Sequence, residues 1–300
     1  MTQKQKLIKG LAAALALFLI CALALGVFGI FSSLMGIEKK DDNTVTFEYE
    51  STENNSQTDV FNAEEEYSRV YEYFYSHDAE HKHEGSDEIR SLDIKVFLAD
   101  VVFVVGEEFS VSGNDENISV TTSGSTVYIS EKQIFDIFKT DRRVVITVPS
   151  DKIFEKVRID AGAGEITAEC INASSVNFNF GAGDVSVDRL FVAQNALINA
   201  GVGEFTVDDA AINNLDMHFG VSNARITGVL FGETDVDCGV GNLELNLKGS
   251  EADYRIDAEK GTGQVTLNGR ILDDDVTYGS GKAEISFDGG VGNVVIKTEY

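Results

Sequence analysis

The chain has 300 residues, of which 43% are apolar and 25% are charged, and its formal net charge is −26. All 50 acidic residues follow residue 37, so the bulk of the protein would repel nucleic acid and anionic lipid headgroups, which excludes both as partners. The 28 glycines, the single proline and the lack of tryptophan exclude collagen and favour short strands joined by glycine turns over a helical bundle.

The N-terminus predicts a membrane anchor. Residues 10–37 contain no charged side chain, and at about 1.5 Å of rise per residue a helix of this length exceeds the ~30 Å hydrocarbon core of a bilayer. Residues 1–9 carry three lysines, so the positive-inside rule places this tail in the cytoplasm and the rest of the chain outside the cell membrane. The alternative is a cleaved signal peptide, which has the same order of a basic start and an apolar run. We favour retention because the apolar run continues well beyond the small residues at 22–24.

Residues 38–90 predict an acidic flexible linker. They contain 16 acidic and 5 basic residues, and polar stretches such as residues 51–58 bury too little apolar surface to offset the chain entropy lost on folding. A flexible chain of this length reaches about 40 Å on average. We therefore expect the domain that follows to stay near the membrane.

Two shorter patterns lie inside the linker. Apolar residues recur at helical spacing after three glutamates at 64–66, which is typical of a short amphipathic helix; they are Tyr67, Val70, Tyr71 and Phe74. The aromatic run at 71–75 suits a strand equally well. Three histidines, His77, His81 and His83, would capture Zn²⁺ or Ni²⁺ if the first two shared a helical face, although we prefer a solvated linker here.

From Leu92 the sequence alternates apolar and polar residues, which is typical of strands. The strands predicted by this alternation are Leu92 to Leu98, Val101 to Val105, Phe109 to Val111, Ile118 to Val120, Val127 to Ile129 and Val144 to Val148. Residues 131–143 interrupt the pattern, and we expect this loop to pack its apolar side chains as a lid over one end of the core. Pro149 closes the last of these strands.

The second half of the chain is an internal repeat. Gly-x-Gly, or a variant of it, recurs at intervals of 18 to 22 residues and begins at Gly162, Gly181, Gly201, Gly220, Gly239, Gly261 and Gly279. Alternate positions before and after each first glycine are apolar, so each repeat predicts a strand, a glycine turn and a second strand. Each unit has one apolar face and needs neighbours on both sides to complete its hydrogen bonds and core. The predicted fold class is therefore all-β, a single β-solenoid at residues 91–300, preceded by one transmembrane helix and a disordered tether.

Three features carry a family resemblance: the opening Leu92-Asp-Ile-Lys-Val96, the strand Val144-Val-Ile-Thr-Val148 before Pro149, and the Gly-Ala-Gly units at Gly162 and Gly181. With these features, residues 92–300 resemble the bacterial "putative adhesin" domains of unknown function. The resemblance implies a β-solenoid with Gly-x-Gly repeats. It also implies an association with membrane proteins of envelope-stress signalling, which such domains often accompany. The repeats degrade after Gly249, so we expect the last rungs to be irregular or to form a cap.

The later repeats place acidic residues on the outward side of their first strands. At the fourth and second positions before the first glycine these residues are Asp216, His218, Asp235, Asp237, Asp257 and Glu259. Stacked as neighbours, they would form an acidic face that binds a basic partner or divalent cations; the alternative is a merely solvated face. The turns carry a second acidic column, which consists of Glu165, Asp184 and Glu204. We expect these carboxylates to be solvated or to accept hydrogen bonds from turn N–H groups, and we prefer these roles to Ca²⁺ binding.

The domain contains no catalytic constellation, so we expect neither enzyme activity nor a cofactor. Paired carboxylates are too abundant in an acidic solenoid to identify an active site, and His218 is the only histidine after residue 83. Cys170 and Cys238 occupy different positions of repeats four rungs apart, at least ~15 Å, which exceeds the ~7 Å reach of a disulfide. We expect both to be free thiols.

Together these features predict a single-pass membrane protein whose extracytoplasmic β-solenoid acts by binding. The partner expected is a membrane or cell-envelope protein, which would make the domain an accessory in envelope sensing or surface interaction. Alternatives are an adhesin that binds wall glycan or another surface and, third, an enzyme acting on wall polymers. The short tether favours a membrane-proximal partner.

Overall fold

The computed structural model describes residues 89–132, 141–259, 261–273 and 276–298. All of them belong to the second of the two compact units into which the chain divides, Met1–Thr58 and Asp59–Tyr300. The predicted cytoplasmic tail, the transmembrane helix at 10–37, the linker up to residue 88 with its histidines, and the centre of the predicted lid lie outside the described residues. Within the described ranges, no helix is long and apolar enough to cross a bilayer.

The described residues form an all-β fold of 17 strands with one turn of 3-10 helix at Glu251–Asp253. The strands are β1 (Ser91–Val96), β2 (Asp100–Val105), β3 (Ser110–Gly113), β4 (Ile118–Ser123), β5 (Thr126–Glu131), β6 (Arg143–Val148), β7 (Phe154–Ala163), β8 (Ile166–Ala168), β9 (Ile171–Ala182), β10 (Val185–Asp237), β11 (Leu243–Leu247), β12 (Tyr254–Glu259), β13 (Val265–Leu267), β14 (Arg270–Ile271), β15 (Thr277–Gly279), β16 (Ala283–Asp288) and β17 (Val294–Thr298). The long β10 is one extended run that winds through several turns of the solenoid. All six strands predicted before Pro149 are confirmed.

Parallel pairing stacks these strands into rungs, each with a strand in sheet A and a strand in sheet B. Sheet A contains, in stacking order, β5, β1, β7, the second half of β9, the segments of β10 from 195 to 237 that precede its turns, β16 and β12. Sheet B contains β6, β2, β8, the segments of β10 that follow its turns, β11, β17 and β13. The β-solenoid predicted from the repeat is confirmed.

Alternate residues of sheet A fill the core. Val157 pairs with Val176, and Ile159 pairs with Phe178, and all four side chains are buried. The intervening residues, such as Asn177, lie on the outer surface of the sheet. Because each buried aliphatic or aromatic side chain contributes about 1.5–3 kcal/mol, this continuous column is the main source of stability and fixes the register.

A third sheet, sheet C, adds a strand to the four central rungs and was not predicted. It contains residues 171–173 of β9, which pair in parallel with residues 190–192 of β10, followed by residues 210–212 and 229–231. Its inward side chains join the same core; they include Ile171, Ala173, Leu190, Val192, Ala210, Ile212 and Leu230. In these four rungs, the two-strand repeat inferred from the sequence therefore becomes a three-strand rung.

Stacking order and chain order differ at both ends of the solenoid. The β1–β2 rung lies between the β5–β6 rung and the β7–β8 rung. Likewise, the β16–β17 rung lies between the rung that ends in β11 and the β12–β13 rung. Each terminal pair of described strands is thus held on both sides by strands from the chain interior.

The predicted seventh repeat was placed wrongly. Its glycine turn is at Gly290 and Gly292 instead of Gly279, because Val291 between them bridges Val240 of the fifth repeat and Thr262 of the sixth. Gly279 ends β15, which is antiparallel to β12. The error arose because β14 and β15 interrupt the last repeat with strands that leave the parallel stack.

Antiparallel strands close the two ends of the solenoid. At one end β4 pairs with β5 and β3 pairs with β6, and at the other β15 pairs with β12 and β14 pairs with β13. An exposed parallel edge would offer unpaired N–H and C=O groups to another chain. The expectation that the degraded C-terminal repeats form a cap is therefore confirmed.

The second glycines of the turns stack at very short backbone separations. Gly164, Gly183 and Gly203 have φ of 138°, 130° and 145°, backbone values that L-residues with a side chain rarely adopt. A Cβ atom on Gly183 would overlap the carbonyl oxygen of Gly164 on the rung below. Ser222 replaces this glycine in one repeat, and its hydroxyl donates a hydrogen bond to the Gly203 carbonyl at 2.9 Å.

A buried ion-pair network supports the corner between β1 and β2. One carboxylate oxygen of Glu131 accepts hydrogen bonds from the backbone N–H groups of Phe97, Leu98 and Ala99 at 2.7, 2.7 and 3.0 Å. The other accepts from Arg142 Nη1 at 2.7 Å, and both side chains are at most 1% exposed. Burial raises the pKa of Glu131, but the three N–H donors and the guanidinium outweigh burial and hold it below its usual range.

Candidate partner-binding surface

Four of the six predicted site residues form one cluster on the outer surface of sheet A. His218 lies between two carboxylates, with Nε2 3.0 Å from Asp216 Oδ1 and Nδ1 2.7 Å from Asp237 Oδ2. Asp235 is exposed on the same strand segment as Asp237. We call these four residues, Asp216, His218, Asp235 and Asp237, the acidic cluster.

The other two predicted site residues, Asp257 and Glu259, lie one rung farther along than expected. Strand β16 is inserted between, so that Asp235 pairs with Ser286 and Asp237 pairs with Asp288, and only then do Asp257 and Glu259 follow in β12. The sequence predicts the columns of Asp257 and Glu259 correctly. The prediction that they adjoin the acidic cluster is wrong, because β16 lies between them.

Asp257 has local partners that reduce its availability. The Thr277 hydroxyl donates a hydrogen bond to its carboxylate, and the Arg255 guanidinium lies 3.5 Å from the other carboxylate oxygen. Asp288, in contrast, stands beside Asp237 and extends the negative charge of the cluster. Local sequence patterns do not indicate this contact, because the two residues are 51 positions apart and the turn of the last repeat is at Gly290 instead of the predicted Gly279.

The acidic cluster borders an open cavity. A depression of ≈ 330 Å³ on the outer surface of sheet A has Asp216, Asp235 and Glu233 along its later rungs. Its earlier rungs contribute the polar side chains of Lys156, Ser175, Asn177 and Asn195. The cavity is therefore negative at one end and neutral or positive at the other, which suits a ligand that is itself charged at one end.

A second cavity of ≈ 510 Å³ lies nearer the N-terminal end of the same surface. An amide ladder runs along it: Asn179 Nδ2 donates to Asp160 at 2.6 Å and to Asn177 at 2.9 Å, and Asn199 Nδ2 donates to Asn179 at 2.7 Å. Because these amides satisfy one another between rungs, the ladder stabilises the stack and leaves few donors for a ligand.

The turn carboxylates have structural roles. Asp184 Oδ1 accepts a hydrogen bond from the Glu204 N–H at 2.9 Å, and Asp100 does the same for the Glu165 N–H at 3.0 Å. Asn223, Asn242 and Asn293 repeat the contact on later rungs. Across the described ranges, no group of three or more histidine, cysteine or acidic side chains is arranged to hold a metal ion.

The two described cysteines are free thiols, as predicted. Burial raises the pKa of Cys170, and burial together with the nearby carboxylates of Asp237 and Asp288 raises the pKa of Cys238 to about 11. Thiols of this kind are poor nucleophiles at neutral pH, because reactivity requires the thiolate. Neither residue has the environment of a reactive cysteine.

The family described as Toastrack DUF4097 matches residues 89–291. The chain belongs to this family. The match covers the solenoid from its first rung into its last glycine turn, and it confirms the resemblance drawn from the Gly-Ala-Gly units. The Toastrack match therefore includes strands of sheets A, B and C.

Two solved structures are similar to the Toastrack domain of this chain. One is a "putative cell adhesion protein" from Clostridium sporogenes ATCC 15579, with 16% identity, a TM-score of 0.32, and coverage of 71% of this chain and 94% of the other. The second is a "putative adhesin" from Bacteroides fragilis NCTC 9343, with 12% identity, a TM-score of 0.29, and coverage of 70% and 92%. No curated protein matches the chain.

Proposed function

We propose that this protein is a non-catalytic binding module, held at the cell membrane by the helix predicted at residues 10–37 and presenting its solenoid outside the cytoplasm. The observation that carries the proposal is the acidic cluster beside an open cavity on sheet A. Its partner is a basic segment of a membrane or envelope protein. The module would then act as an accessory in envelope sensing or surface interaction.

The charge distribution supports a basic partner. Asp216 and Asp237 share His218 between them, Asp235 contacts the cavity, and Asp288 adds a further carboxylate beside Asp237. Neighbouring strands lie about 4.8 Å apart, so these carboxylates repel one another. A ligand that brings positive charge relieves this repulsion, and the interaction weakens as salt screens it.

The tether supports a membrane-proximal partner over a distant one. A flexible linker of the predicted length reaches about 40 Å, which is too short to carry the domain beyond a thick cell wall. Adhesion to wall glycan or to another surface remains the second candidate, and a wall-polymer enzyme the third. Among the described residues, no side-chain arrangement supports adhesion or a wall-polymer enzyme as the acidic cluster supports binding of a basic partner.

Binding of a basic peptide tests the proposal directly. The full-length chain in detergent should bind a decalysine peptide saturably in a calorimetric titration. Changing Asp235 and Asp237 together to Asn should weaken this binding by roughly five- to tenfold, as expected for the loss of two exposed charge interactions. The matched control changes Glu107 and Glu108 to Gln, two exposed acids in the loop after β2, and should leave the affinity unaltered. Equal losses in both variants, or no saturable binding, would show that the cluster is only solvated.

Membrane topology is tested separately. Protease added to spheroplasts should cleave the linker and release a fragment that contains the solenoid, because the N-terminal tail with its three lysines stays in the cytoplasm. Detection uses an antibody to the C-terminus, with a cytoplasmic protein as the control for intact membranes. Protection of the whole chain in intact spheroplasts would contradict the proposed orientation.

A further inference from the structure

An exposed apolar stripe runs along the corner where sheet A turns into sheet B. Four valines occupy the middle position of neighbouring glycine turns, and we call them the valine stripe: Val202, Val221, Val240 and Val291. Each is about half exposed, between 48% and 55%. Val240 pairs in parallel with both Val221 and Val291, and the glycine before Val221 lies against the glycine before Val202. Because neighbouring rungs are about 4.8 Å apart, the stripe is continuous and about 14 Å long.

Pairing between the turns does not require valine. The same column continues with Ala182 before Val202 and with Thr262 after Val291, and these two residues pair through their backbones as the valines do. Single apolar side chains are common on protein surfaces, whereas a contiguous exposed patch marks an interaction site. The valine stripe therefore indicates a docking surface.

The acidic cluster borders the valine stripe on its sheet A side. On three consecutive rungs, a residue of the cluster or its neighbour Asp288 comes three residues before a valine of the stripe; the pairs are His218 and Val221, Asp237 and Val240, and Asp288 and Val291. At most about 10 Å of extended chain separates the two members of each pair. Apolar and acidic side chains therefore run side by side along the solenoid.

Neutral amides border the valine stripe on its sheet B side. Asn223, Asn242 and Asn293 come two residues after the valines on the same three rungs. They are engaged with one another's strands, since Asn223 Oδ1 accepts a hydrogen bond from the Asn242 N–H at 3.0 Å and Asn242 Oδ1 accepts one from the Asn293 N–H at 3.1 Å. A partner complementary to this surface is therefore apolar on one side and basic on the side next to it.

We propose that the valine stripe and the acidic cluster together bind a basic amphipathic helix of the partner, an inference that rests on the proposed function and specifies the shape of its ligand. A helix of about ten residues is ~15 Å long and 10–12 Å wide with its side chains, so it covers the stripe and reaches the carboxylates beside it. Its apolar and basic side chains occupy adjacent sides and contact both features at once. A strand would direct alternate side chains to opposite faces and leave one feature uncovered.

The charge of the chain disfavours a second copy as the occupant. The chain carries 50 acidic and 24 basic residues, so a second copy docked on the valine stripe would bring further negative charge to the acidic cluster. Like charges placed opposite one another in an interface cost several kcal/mol. A basic helix from another protein meets no such repulsion.

Two peptides of lysine and leucine, identical in composition and about 14 residues long, test the shape of the ligand. In one peptide the leucines recur at helical spacing, and in the other the order is scrambled so that no apolar side forms. The full-length chain in detergent, titrated against a detergent blank, should bind the patterned peptide about tenfold more tightly than the scrambled one. Equal affinities with decalysine still bound would overturn this inference and leave the proposed function standing, whereas failure of all three peptides to bind would overturn both.

The valine stripe itself is tested by changing Val221 and Val240 together to Ser. Both side chains are exposed, and Thr262 already places a hydroxyl group in the same column, so the fold accommodates the change. The double variant should bind the patterned peptide about tenfold more weakly, because apolar contact is lost, and should bind decalysine as the wild type does.

The matched control changes Val105 and Val120 to Ser, two exposed valines on β2 and β4. This control should leave the affinity for both peptides unaltered. Equal losses in the two double variants, or patterned-peptide binding that the stripe variant retains in full, would contradict the proposal. Wild-type dimers in analytical ultracentrifugation that become monomers in the stripe variant would also overturn it, since a second copy would then cover the stripe.

Discussion

Glu131→Gln should lower the free energy of unfolding by about 3 kcal/mol, the lower end of the range for breaking a buried ion pair. The substitution keeps the shape of the side chain but removes the charge that faces Arg142, which is 1% exposed. Asp115 remains 3.8 Å from the guanidinium, so the positive charge is not left wholly uncompensated. Urea unfolding followed by circular dichroism measures the loss.

The control for Glu131 is an ion pair of similar length in solvent. Arg90 Nη1 lies 3.2 Å from Glu155 Oε1, and both side chains are more than half exposed. Glu155→Gln should cost at most about 0.5 kcal/mol, because solvent screens such pairs. Equal effects of the two substitutions would show that the buried network does not support the corner.

The stability of the wild-type protein and the stability of Glu131→Gln should depend differently on pH. The folded-state pKa of Glu131 lies below its unfolded value, so the stability it contributes is fully present above the unfolded value and is lost as the pH falls through the folded value. The difference in stability between wild type and Glu131→Gln should therefore narrow below about pH 4. A difference that stays constant to lower pH would contradict this.

Gly183→Ala should destabilise the domain strongly, costing about 3–5 kcal/mol. Two effects add: alanine is strained at a φ of 130°, and the new Cβ overlaps the Gly164 carbonyl oxygen, which belongs to the backbone and cannot rotate away. A thermal or urea unfolding curve measures the loss.

Gly124→Ala is the matched control. Gly124 also has a positive φ, 59°, but it lies in the turn between β4 and β5, and a Cβ there would meet open space. We expect it to cost about 1 kcal/mol, the conformational penalty alone. If Gly183→Ala costs no more than this, the rungs are not held at the close separation that the structure shows.

The repeat can be predicted from the sequence because two independent signals coincide. Alternation gives the inward columns, such as Ile159 and Phe178, and the glycines give the turns where backbones approach. Sheet C was missed although its signal is present, since apolar residues recur at the ninth and eleventh positions after the first glycine, as at Ile171 and Ala173. The alternation was simply not followed far enough along each repeat.

The remaining errors concern contacts between distant parts of the chain. Neither the insertion of β16 beside Asp235 and Asp237 nor the pairing of Glu131 with Arg142 follows from local patterns, because each depends on which strands become neighbours. Glu131 was assigned to a loop, whereas it ends β5 and binds three backbone N–H groups. The acidic cluster was accordingly predicted in its correct columns but with the wrong neighbours.

The last strands of the described chain, β16 and β17, lie between two rungs formed by earlier residues, and this arrangement has a consequence for folding. In an ordinary repeat array, each unit adds to the one before it, so folding propagates along the chain and the ends fray one unit at a time. Here the β12–β13 rung has no parallel partner until the last strands, β16 and β17, are in place. The C-terminal part of the solenoid must therefore wait until β16 and β17 have left the ribosome, and once closed it should open as one cooperative block.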